Sequence, residues 1–69
     1  MIITTRKQAD EYARTIANLR KESVHVFPVP KGTAGHTMGY RFGTCLDSER
    51  AEYERDGARI VGTITPEAT

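Results

Sequence analysis

Thr5, followed three residues later by Gln8, opens the one stretch whose pattern leaves little choice of structure. At that spacing each side chain satisfies the other's orphaned backbone donor, which marks a helix start. Ala9, Tyr12, Ala13, Ile16, Ala17 and Leu19 follow at helical spacing. They predict a helix over 6–22 with one apolar face of about 160°, at about 100° per residue. Lys7, Asp10, Glu11, Arg14, Asn18, Lys21 and Glu22 fill the opposite face. Arg20 projects from the apolar side, where its stem can pack while the guanidinium reaches water.

Residues 23–29 change period: Val24, Val26, Phe27 and Val29 form a β-branched and aromatic run that predicts a strand. Pro28 lacks a ladder donor, which is tolerated on an edge strand or at a bulge. Residues 30–37 hold Gly32 and Gly35 among small and polar residues and predict a long hairpin loop. Over 38–45, Met38, Tyr40 and Phe42 alternate with Gly39, Arg41, Gly43 and Cys45. Arg41 is costly to bury unpaired, so Tyr40 and Phe42 are expected to face the core. Asp47 can cap a helix over 48–56, with Gly57 at its left-handed end and Leu46 and Ala51 as a hydrophobic staple. Asp56-Gly57 is also a hairpin signal. Glu, Arg and Ala in 48–55 favour the helix. Residues 59–65 close as a strand ended by Pro66, and Ile2 and Ile3 suggest a very short first strand over 1–4. The order β-α-β-β-α-β is the ferredoxin-like split βαβ succession, an α+β class with a small, mostly antiparallel sheet and both helices on one face. If 1–4 does not pair, the expectation becomes α-β-β-α-β with a three-stranded sheet.

Sixty-nine residues predict a single domain. Ile, Leu, Val and Phe number 13, about a fifth of the chain and close to the disordered range. A net charge of +1 supplies no self-repulsion to complete that condition. So thin a core raises the need for a partner, either a larger protein or a second copy. No apolar run approaches the ~20 residues of a membrane span, and one cysteine makes no internal disulfide. No apolar stretch follows the early charges as in a secretory signal, so a cytoplasmic protein is expected.

His25, His36, Cys45 and Asp47 are the residues that catalysis could use. A hairpin placing His25 near Gly43 puts Cys45 on a diagonal ~7–8 Å away, and no orienting group is evident. One cysteine and two histidines offer no metal-ligand spacing. The expectation is therefore a non-enzyme without cofactor or metal. Lys31-Gly32-Thr33-Ala34-Gly35-His36 invites a phosphate-cradle reading, but the second glycine precedes a histidine instead of Lys-Ser/Thr opening a helix. Tyr40 and Phe42 fall where RNA-recognition motifs carry stacking rings, a role that needs both rings in solvent.

Two surfaces remain. His25, Phe27, Gly39, Arg41, Gly43 and Cys45 are expected on an uncovered sheet face, the kind that meets another protein or a second copy. Phe27 and Arg41 there, with Lys31 and His36 from the adjoining loop, are the expected partner contacts. Lys7, Arg14 and Lys21, seven apart, make a basic helix stripe suited to nucleic-acid phosphates, a reading in which Lys31 of the hairpin loop and Arg41 are further contacts. Residues 1–45 carry seven bases against three acids, and 46–69 three against six. In size, and in its lack of catalytic groups, the chain resembles the small proteins of phages and mobile elements that block host machinery, such as anti-CRISPR inhibitors. That resemblance covers size class and no motif, and implies an inhibitor or regulator acting by occupation.

Overall fold

The computed structural model describes residues 2–67. Helix α1 (Arg6–Arg20) begins at the expected capping box: Thr5 Oγ1 accepts from Gln8 N–H, and Gln8 Oε1 accepts from Thr5 N–H. It ends at Lys21, which takes the left-handed conformation at φ 56°. Strand β1 (Val24–Pro28) follows, then a short helix α2 (Ala34–Thr37) inside the expected hairpin loop. Strand β2 (Phe42–Leu46) runs into a single 3-10 turn (Asp47–Glu49), helix α3 (Arg50–Arg55) and strand β3 (Gly62–Ile64). The helix expected over 48–56 is met by α3 over 50–55, with Gly57 at positive φ (101°) beyond its cap, but Asp47 lies inside the 3-10 turn and its side chain caps neither start.

The sheet has three antiparallel strands in the order β2-β1-β3. This is the α-β-β-α-β alternative with α2 added. Met1 lies outside the described residues, and residues 2–4 form no strand: Ile3 contributes one carbonyl, which accepts from Arg41 N–H at 2.9 Å. In a ferredoxin-like order the strand in β1's position lies at the sheet edge; here β3 pairs along its other side. Pro28 is therefore on the central strand, not an edge. It is harmless for a local reason. Val29 N–H donates to Arg41 O, so odd-numbered residues of β1 bond toward β2 and even-numbered ones toward β3. Pairing with β3 ends at Val26↔Gly62, so Pro28 points its missing donor where no strand remains.

The two sheet faces divide by parity. Even positions Val24, Val26, Phe42, Leu46 and Ile64 pack with Ile3 and Tyr40 against α1. Ala9, Ala13 and Ala17 are fully buried there, so the helix lies close on the strands. As expected, Tyr40 and Phe42 look inward. The apolar face of α1 is wider than the sheet beneath it, which leaves Tyr12 exposed and Leu19 73% exposed. The expectation that both helices share this face is overturned. Tyr53 of α3 meets Phe27 on the opposite face, ring centroids 5.5 Å apart, and Phe27 and Cys45 are 8% and 3% exposed. A face carrying Phe27, Cys45 and a histidine could not stay wet without cost, and α3 removes it from water. The uncovered sheet does not exist among the described residues.

Candidate functional site

His25 sits at the centre of the face covered by α3, 2% exposed. It stands directly opposite Cys45 on β2 and Thr63 on β3, not near Gly43, which pairs with Phe27. The His25–Thr63 pair belongs to the alternation in which side chains approach most closely. His25 Nδ1 and Thr63 Oγ1 are 2.8 Å apart, and Nε2 lies 2.7 Å from Asp47 Oδ1 at the start of the 3-10 turn. A carboxylate only accepts, so Nε2 carries a hydrogen. Nδ1 then accepts from the Thr63 hydroxyl in neutral imidazole and donates to it in imidazolium. The chain of three groups is satisfied in either protonation state.

A hydroxyl, an imidazole and a carboxylate within hydrogen-bond reach are the parts of nucleophilic catalysis. Sequence reading finds His25 and Asp47 but misses Thr63, because only the β1–β3 register brings it in. What the parts do here is tie β1, β3 and the 3-10 turn together: the imidazole is sealed, and none of the clefts described below is lined by it. Cys45 is no better placed for attack. Burial, and after it the Glu49 carboxylate, push its thiol above the ordinary value of 9.0, away from the thiolate that reacts. Among the described residues no group of three or more His, Cys, Asp or Glu side chains is placed to hold a metal ion.

The expected partner residues separate. Phe27 is interior, wedged against Tyr53. Lys31, His36 and Arg41 stay together on the connection between β1 and β2. That connection is ordered by its own bonds. Thr33 Oγ1 accepts from His36 N–H and donates to Pro30 O, opening α2. Tyr40 N–H donates to Gly35 O at 3.0 Å, and Arg41 Nη1 donates to His36 O at 3.1 Å and Tyr40 O at 3.2 Å. The Val29–Arg41 bond closes its base. Gly35 lies within α2, so the segment offers no glycine-rich amide cradle. Outward it presents Lys31, Arg41, Met38 (65% exposed) and, against Gly39, the exposed Ile2. Beneath it an open cleft of about 240 Å³ is lined by Phe27, Val29, Pro30, Thr33, Tyr53, Asp56 and Ala58.

A second, larger cleft of about 400 Å³ runs between α1 and β2, lined by Ile3, Tyr12, Tyr40, Phe42, Gly43 and Thr44. It continues past Tyr12 and Thr44 toward Arg20, Leu46 and Glu49. On α1, Lys7, Arg14 and Lys21 are all exposed. The Asp10–Arg14 pair that helical spacing suggests is replaced by Arg6–Asp10 at 3.0 Å, with Arg6 also donating to Val61 O.

Compared with protein-family models, curated proteins and solved structures, the chain matches none of them. Among the described residues no helix is long and apolar enough to cross a membrane. Any function must therefore be argued from these surfaces.

Proposed function

We propose that this chain is a small, non-catalytic protein-binding module of the cytoplasm, an inhibitor or regulator that covers a surface on a larger partner with its β1–β2 connection. The observation that supports this reading is the closed, self-bonded form of residues 29–41, with Met38, Lys31 and Arg41 turned outward. Compact loops whose ends meet are frequent sites of function. Met and Arg are enriched at interface cores, and a loop already held in one conformation loses little entropy on binding. His36 contributes chiefly through its carbonyl, which positions the Arg41 guanidinium. Phe27 supports the loop from inside and is dropped as a contact. Lys31→Ala should weaken capture of the partner without lowering Tm, and Arg41→Ala, which also frees the His36 and Tyr40 carbonyls, should weaken it further; unchanged capture in both removes this loop from the interface.

Nucleic-acid binding by α1 is the second reading, favoured by one detail: Asp10 neutralises Arg6 and leaves the Lys7, Arg14 and Lys21 stripe exposed. It requires retention of duplex DNA that falls with salt at about −0.9 in log-log slope per phosphate neutralised. No retention in a low-salt gel shift sets it aside.

A further inference from the structure

We infer that the outer edge of β2 pairs with a second copy of this chain, extending the sheet across a two-fold axis at Thr44. The edge adjoins the loop proposed above for a larger partner and shares Arg41 with it, but Lys31 belongs to the loop alone and Thr44 to the edge alone, so the two readings are tested separately.

The bonds that flank β2 set the direction of its free groups. Val29 N–H donates to Arg41 O and Asp47 N–H to Ser23 O, which puts the odd-numbered residues of β2 in hydrogen-bonded pairs with β1. Phe42, Thr44 and Leu46 therefore turn their N–H and C=O groups outward. Among the described residues the fold takes one of these outward groups: Glu49 Oε1 accepts from Leu46 N–H at 3.1 Å. The strand Phe-Gly-Thr-Cys-Leu carries no charge and no proline, the devices that keep edges apart.

An antiparallel copy centred on Thr44 matches every group left open except the Phe42 carbonyl. Thr44 stands opposite Thr44 and Phe42 opposite Leu46, giving two Thr44 N–H···O=C Thr44 bonds and two Phe42 N–H···O=C Leu46 bonds. The Leu46 N–H, already held by Glu49, is not called upon. On the α1 face the half-buried Phe42 and Leu46 meet as apolar cross-strand pairs beside the exposed Tyr12. On the other face Arg41 comes opposite Asp47 of the copy, both exposed and of opposite charge. One patch thus supplies both halves of a closed, isologous contact, which is what a two-fold dimer needs.

The purified chain alone decides this by light scattering or sedimentation. The expected mass is twice the 7.7 kDa of one chain. Thr44→Lys brings two ammonium groups together at the axis and should return the mass of one chain with an unchanged circular-dichroism spectrum. Thr44→Pro deletes an outward N–H and no bond to β1, and should do the same if the lysine variant fails to fold. Lys31→Ala, remote from the edge, should leave the mass doubled whatever it does to partner capture. A wild-type chain of single mass at its highest soluble concentration overturns the inference, as does a doubled mass that persists in a folded Thr44 variant. Pairing of the β2 edge only with an extended peptide of another protein would appear as the first of these results.

Discussion

His25 and Thr63 face each other across the β1–β3 ladder, with the imidazole Nδ1 2.8 Å from the threonine hydroxyl. The contact joins the shortest strand to the central one through a residue that is otherwise sealed. Thr63→Val keeps the β-branched shape and deletes the hydroxyl, leaving a buried ring nitrogen unpaired. The expected loss is about 1–3 kcal/mol in chemical denaturation. A loss no larger than that of an exposed strand substitution would show that the contact carries no stability.

Gly43 is the cross-strand partner of Phe27, and its backbone forms the floor on which that ring lies. A Cβ at position 43 would meet two ring carbons at 2.8 Å. The ring cannot simply swing aside, because Tyr53 holds its other side. Gly43→Ala should therefore cost about 1–3 kcal/mol, as overpacking does. The paired Gly43→Ala, Phe27→Leu variant should cost less than the sum of the two single changes.

Ala13 is fully buried where α1 lies on Val24 and Val26. Ala13→Leu adds volume to a seam with no slack and should destabilise by about 1–3 kcal/mol, although leucine is an acceptable helix former. Leu19→Ala, in a side chain 73% exposed, should be nearly silent. Equal melting temperatures for the two variants would contradict the packing described.

Cys45 gives the pH dependence a definite sign. Its thiol titrates above 9.0 in the folded chain, through burial first and the Glu49 charge second, and near that value when unfolded. The unfolded state releases its proton first, so the thiol's contribution is fully present below pH 9.0 and is lost as pH rises through the folded value. The stability advantage of wild type over Cys45→Ala should shrink above pH 9. Alkylation of the folded chain at pH 8 should be far slower than of the denatured chain. A fast-reacting thiol in the native state would refute this account.

The sequence by itself determined the local elements, because the signals for them are local. The capping box of Thr5 and Gln8, the alanine column of α1, and the inward parity of Tyr40 and Phe42 are set by neighbours a few residues apart. Helix α2 was also within reach, since Thr33 stands three residues before the N–H it caps. Tertiary structure decided the rest. Which strand is central depends on where β3 finds hydrogen-bond partners, and nothing in residues 59–65 records that β1 would offer them. That pairing recruited Thr63 to a cluster no spacing could announce, while the β1–β2 register brought Cys45 opposite His25 and the packing of α3 moved Phe27 from a surface contact to the interior. Parity told which residues share a face; only the packed chain told which face each helix covers, because six residues of α3 can lie on either side until Phe27 and Tyr53 bury one another.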